Sequence, residues 1–249
     1  MANTNNQIDR YTAFKNALIT FYNNCKEENS RYKSWEHCYE QFYLARKKRL
    51  NNKDYDALCL HLAFYLASWG MLRNSFLLQR DYKIHNDVIK IILKNKYDCL
   101  LGASCKQVVE NWALLKDLKE EIRESYDTLR KKLPEYADVS HKISDVLVTK
   151  VLMGTLGCAP AYDRFFKKAV KGTKRKKKTD EEKPSNTFSE KSIKQLCDFY
   201  NTHSKDLEAI RKEMKINHKI KYPQMKLIDM GFWQLGFEAE AKRKRKKSK

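Results

Sequence analysis

No stretch of this chain alternates apolar and polar residues in the way a half-buried strand requires, so a sheet-based fold is not expected. No Cys-x-x-Cys occurs among the seven cysteines, at positions 25, 38, 59, 99, 105, 158 and 197. His37-Cys38 and the separated His203 and His218 lack a zinc spacing, and no four-cysteine cluster pattern exists, so no metal is expected. Gly-x-Ser-x-Gly, Gly-x-x-x-x-Gly-Lys-[Ser/Thr] and His-Glu-x-x-His are absent, which removes the hydrolase-elbow, phosphate-loop and zinc-protease readings. A metal-dependent nuclease needs clustered carboxylates, and the local pairs Asp54/Asp56 and Glu120/Glu121 fall on charged, solvated faces. The longest apolar stretch, Ala57 to Met71, is interrupted by His61 and is too short to span a bilayer, so no membrane segment is expected. No internal repeat and no signal peptide are evident. With the odd cysteine count, the latter points to reduced thiols in an intracellular protein, cytoplasmic and nucleoid-associated if bacterial, nuclear if eukaryotic.

What the chain does have is positive charge. Its 249 residues include 51 Lys and Arg against 31 Asp and Glu, a net charge of +20, far more than solubility requires. The partner this implies is a polyanion, nucleic acid by default and DNA first. The excess is uneven: residues 165–249 hold 25 basic and 11 acidic side chains, residues 1–164 hold 26 and 20. Two runs stand out, Lys167 to Lys178 (with Lys174-Arg175-Lys176-Lys177-Lys178) and the terminal Lys242-Arg243-Lys244-Arg245-Lys246-Lys247-Ser248-Lys249. Such runs self-repel and stay extended when free, and release counterions along phosphates when bound. Arg46-Lys47-Lys48-Arg49 reads as a phosphate-contacting or solvent-facing helix end. A solubilising tail or nuclear-targeting signal is the plainer reading of the terminal run.

With 42% hydrophobic and 12% aromatic residues the chain is globular, and apolar residues recur at three- and four-residue spacing nearly throughout. The pattern predicts an all-α fold of many helices, as one body or two helical subdomains. Residues 1–170 form the helical core with the candidate site, 171–187 a basic flexible loop, 188–238 C-terminal helices packing on that core, and 239–249 a basic tail. Helices are expected over 8–24, from Ser34 as a capping residue, over 54–69 as a central helix surrounded by others, and at about 83–95, 104–116 and 116–132. Further ones are expected over 144–156 with Gly157 as C-terminal cap, from Pro160 through Lys168, from Ser189, and over 223–235.

One lysine interrupts the apolar helix over 144–156. On a helical projection Lys150, Gly154 and Gly157 share a narrow face. A lysine facing a pocket there would be a candidate nucleophile, and the glycines would admit a ligand or another backbone; alternatively its stem covers apolar surface while the ammonium reaches water. Asp163, in the first turn after Pro160, would be held ionised by unpaired amides, as an anionic stabiliser or simply as a helix cap. A second polar cluster, Ser68-Trp69-Gly70-Met71-Leu72-Arg73-Asn74-Ser75 with Tyr82 and His85, suggests either a hydrogen-bonded helix junction or a pocket for an extruded base. In the pocket reading Trp69 or Tyr82 stacks, Arg73 and Arg80 hold phosphates and Asn74 reads a base edge.

The order of these elements resembles that of helix-hairpin-helix DNA glycosylases. Val148-Thr149-Lys150-Val151 looks like the lysine-bearing part of that motif, and Pro160-Ala161-Tyr162-Asp163-Arg164-Phe165-Phe166 looks like its Asp segment; the hairpin's Gly-x-Gly is missing from residues 141–145. The resemblance implies an enzyme that flips out a base, modified or not, and cleaves its N-glycosidic bond without a cofactor. In it, Asp163 stabilises the sugar cation and Lys150 attacks the anomeric carbon; the residues proposed for the base pocket of such an enzyme are Trp69, Arg73, Asn74, Tyr82 and Tyr162. The stretch from Leu58 to His85 also looks like one in uncharacterised bacterial proteins, some serving in phage defence. The rival expectation is a non-catalytic nucleic-acid-binding protein, or a helical adaptor.

Overall fold

Helices make up nearly every element, as the three-to-four spacing predicts. The computed structural model describes residues 2–73, 75–138, 140, 142–172 and 185–247. In chain order come α1 (Ala2–Lys26), α2 (Ser34–Ala45), α3 (Asn52–Ser68), α4 (Asn86–Ile92), α5 (Cys105–Glu110), α6 (Trp112–Lys131), α7 (Asp145–Thr155), α8 (Arg164–Lys171), α9 (Glu190–Thr202), α10 (Ser204–Glu213) and α11 (Gln224–Lys247). Two short strands, β1 (Lys215–Ile216) and β2 (Ile220–Lys221), form an antiparallel hairpin before α11. No described helix is long and apolar enough to cross a membrane.

Local chemistry sets several boundaries. Asn51 starts α3 through a capping box, its side chain accepting from the Lys53 and Asp54 amides while Asp54 accepts from the Asn51 amide. Ser104 and Gln107 do the same for α5. Ser34 does not cap: it is the first residue of α2, is buried, and its hydroxyl accepts from the indole of Trp69 at 3.1 Å. The expected helix over 83–95 is a 3-10 turn (Tyr82–His85) followed by the short α4.

α11 runs across α1 and along α8, so both ends of the chain enter one apolar cluster that extends from Phe14 to Trp233. α3 departs from the expected surrounded helix. It packs on α2, α4, α7 and the Tyr82–His85 turn, yet one side stays open, with Leu60 48% and Phe64 61% exposed. The terminal basic run also differs: α11 continues through it to Lys247 instead of leaving an extended tail. Glu240 pairs with Arg243 at 3.0 Å, and cations at a helix C-terminus oppose its dipole favourably.

His85 adds a pH dependence to this core. It is 1% exposed, its Nδ1 lies 2.7 Å from the Tyr126 hydroxyl, and burial pushes its imidazole down to about 4. The unfolded chain takes up a proton at this residue near pH 6.5, the fold only near pH 4, so stability falls as pH drops through that window and levels off below it. The expected loss is about 3 kcal/mol. Urea denaturation at neutral pH and near pH 4 measures it, and His85→Gln removes that part of the slope.

Candidate functional site

α7 begins at Ser144, whose hydroxyl accepts from the Leu147 amide. It ends as expected at Gly157, which adopts φ 63° and donates to the Leu152 carbonyl at 3.0 Å. The chain then stays irregular through Asp163. The predicted helix start at Pro160 is corrected by four residues, because the loop's amides are satisfied from elsewhere: Ala161 donates to Asp229 Oδ1 at 2.9 Å and Tyr162 to Thr149 Oγ1 at 3.0 Å. Asp163 is the residue before α8, and its Oδ1 accepts from the Phe165 and Phe166 amides at 3.0 and 3.1 Å.

The other oxygen, Oδ2, accepts from Lys150 Nζ at 3.1 Å and from Trp233 Nε1 at 2.9 Å. The Lys150 side chain is 3% exposed and that of Asp163 14%. The lysine therefore neither snorkels to water nor faces an open pocket; its ammonium meets a carboxylate and lies 5.3 Å from the Trp69 ring centroid. Gly154, one turn on, permits close approach of α3: a Cβ there would sit 2.4 Å from the Tyr65 ring.

A second buried pair sits beside the first. Lys226 and Asp229 on α11 are 3.1 Å apart with side chains 3% and 7% exposed. Lys226 lies 4.8 Å from the ring centroids of both Phe21 and Trp35, and 5.9 Å from that of Trp69. Trp233 stands at the centre of the aromatic cluster, 5.3 Å from Trp69, 5.7 Å from Phe21, 6.0 Å from Tyr32, 5.3 Å from Phe165 and 5.2 Å from Phe237. Sequence reading missed Lys226 and Asp229; the available signal was two opposite charges three residues apart inside an apolar run. Two desolvated ion pairs are costly unless fully hydrogen-bonded, and here the carboxylates collect donors from the loop, α8 and Trp233.

This arrangement limits the chemistry. The four donors on Asp163 and the opposed charge of Lys150 leave the carboxylate little field for stabilising a developing cation. For Lys150 to act as a nucleophile, the pair must first open and the ammonium lose its proton.

Among the described residues, the side chains of Trp69, Tyr82 and Tyr162 proposed for the base pocket each have separate partners. Trp69 is partly buried, with Phe21 stacked on it at 6.0 Å and 6° and the Arg31 guanidinium 5.3 Å from its centroid. Arg73 is exposed at a surface cavity of about 250 Å³ that it shares with Arg130, Lys142 and Ser144, beside the start of α7. Tyr82 donates to Asp56 at 3.0 Å, and that hydrogen bond raises its phenol above the usual range. Tyr162 is fully buried and bonded to Ser192 at 2.7 Å, with burial pushing its phenol up. Asn74 lies outside the described residues.

The basic candidates divide as clearly. Arg46 is a core strut: its side chain is 7% exposed and donates to Asp98 and to the Ile92 carbonyl. Lys48 pairs with Asp54 at 2.6 Å, Lys47 lies over Tyr43, and Lys47 and Arg49 are exposed. Lys242, Arg243, Lys244 and Arg245 are exposed on α11. The run from Lys167, expected along phosphates, begins inside α8, whose eight residues carry Arg164, Lys167, Lys168 and Lys171 and no acid and which packs along α11. Lys168 reaches Glu240 of α11 at 2.6 Å. Residues 174–178 lie outside the described residues. Among the described residues, no group of three or more His, Cys, Asp or Glu converges as metal ligands would. No protein family, curated protein or solved structure matches this chain.

Proposed function

We propose that this protein binds nucleic acid along the face made by α8 and the C-terminal half of α11. One observation carries the reading: a short helix with four basic and no acidic residues packs beside a helix whose exposed end, residues 238–246, holds five basic residues against two acidic. Holding the basic run on a helix fixes its charges in place, so less ordering is required on binding than for an extended tail. The buried Lys150–Asp163 and Lys226–Asp229 pairs then serve as the frame that seats α8 against α11. Fluorescence anisotropy with a labelled oligonucleotide over a salt series tests this. Affinity should fall steeply with salt, and replacing Lys242, Arg243, Lys244 and Arg245 together by Gln should lower it at least about tenfold and flatten the salt slope by about two to four charges. Association insensitive to salt would instead favour a helical adaptor for a protein partner.

A second reading, cleavage of an N-glycosidic bond in DNA, is favoured by the 14% exposure that Asp163 retains beside Trp69 and Trp233. It rests on the resemblance to helix-hairpin-helix glycosylases and requires the Lys150–Asp163 pair to open on the bound substrate.

A further inference from the structure

We infer that the α8–α11 face takes single-stranded nucleic acid, with an unpaired base stacked on Phe237; this rests on the reading of that face as a nucleic-acid surface. Among the described residues, Phe237 is one of six large apolar side chains left open, 36% exposed. It lies parallel to Trp233, 9° between planes and centroids 5.2 Å apart, and Phe165 braces both rings edge-on at 5.5 and 5.3 Å. The ring is therefore already held as the outer leaf of a stack, and a base placed on it extends that stack with little side-chain ordering. Cations flank the platform in the fold: Arg164 lies 4.5 Å from the Phe165 centroid, and Glu240, three residues past Phe237 on α11, holds Lys168 of α8 at 2.6 Å and Arg243 at 3.0 Å.

The combination decides between partners. A duplex keeps its bases stacked on one another and would offer this ring only phosphates and sugars, whereas a single strand offers a base face for Phe237 and a backbone for the flanking cations. An apolar protein surface would have to lie against the positive border as well as the ring.

The test compares oligothymidylate with a blunt duplex of equal length, by anisotropy at matched salt, for the wild type, Phe237→Ala, Phe237→Leu and Phe237→Tyr. Leu retains apolar packing on Trp233 and Phe165 without an aromatic face, so it separates stacking from folding. The wild type should prefer the single strand. Ala and Leu should weaken that binding about tenfold with the salt slope unchanged, Tyr should preserve it, and duplex affinity should not respond. Salt-sensitive binding in which Phe237→Leu matches the wild type, or in which both substrates lose equally, overturns the stacking site while leaving the nucleic-acid reading intact. Absence of salt-sensitive binding to either substrate overturns that reading itself.

Discussion

Replacing Lys226 by methionine should lower the stability of the fold by about 3–5 kcal/mol, although methionine fills much of the same volume. The loss comes from what is left behind. The Asp229 carboxylate, 7% exposed, would keep the Ala161 amide as a donor and lose the ammonium 3.1 Å away. A carboxylate in that position must protonate or draw water into an aromatic core, and both are costly. Lys226→Met combined with Asp229→Asn should recover most of the loss, because the asparagine still accepts from Ala161 and neither partner is charged. Urea denaturation of the two single variants and the double variant measures the coupling directly. A loss below about 1 kcal/mol for Lys226→Met would mean that the pair is worth no more than a surface bridge.

Gly236→Ala should be comparably severe, for a steric reason. A Cβ at this position would lie 2.0 Å from the Phe165 carbonyl oxygen and 2.6 Å from its carbon, so the obstruction is backbone, which cannot rotate aside. α8 must move away from α11. Since Asp163 caps α8 and accepts from Trp233 on α11, the shift strains that hydrogen bond too. The expected cost reaches or exceeds the roughly 3 kcal/mol typical of the worst overpacked cores. Because the same movement separates the two halves of the basic face, oligonucleotide affinity should fall with it. Thermal denaturation and anisotropy on the same preparation check both; full stability with full affinity would show that the two helices need no close contact.

The helical class, most helix positions, and both Lys150 and Asp163 as residues worth attention were legible in the sequence. What connects them was not. Lys150 and Asp163 are 13 residues apart, and nothing in their spacing says that a loop held by Thr149 and Asp229 turns one onto the other. The same remote bonds defeat the Pro160 signal for a helix start. Periodicity shows that α3 is apolar on most sides but not whether another element covers each side, which is why a surrounded helix is expected over 54–69 although Phe64 lies outside. Arg46 sits in a basic run and reads as a phosphate contact, yet its carboxylate partner Asp98 is 52 residues away in sequence. Lys226 and Asp229 are hidden by the apolar residues that surround them in sequence, the same residues that bury them in the fold.

On the proposed function, the Lys150–Asp163 assembly supports a binding face instead of cleaving a bond. The most direct test is incubation of the wild type and Asp163→Asn with labelled single- and double-stranded DNA carrying normal and modified bases, followed by alkali, with folding and binding of each protein measured in parallel. Salt-sensitive binding and no alkali-labile sites are expected from either protein. Alkali-labile sites produced by the wild type and lost in a folded, DNA-binding Asp163→Asn would contradict that function and establish the glycosidic reading.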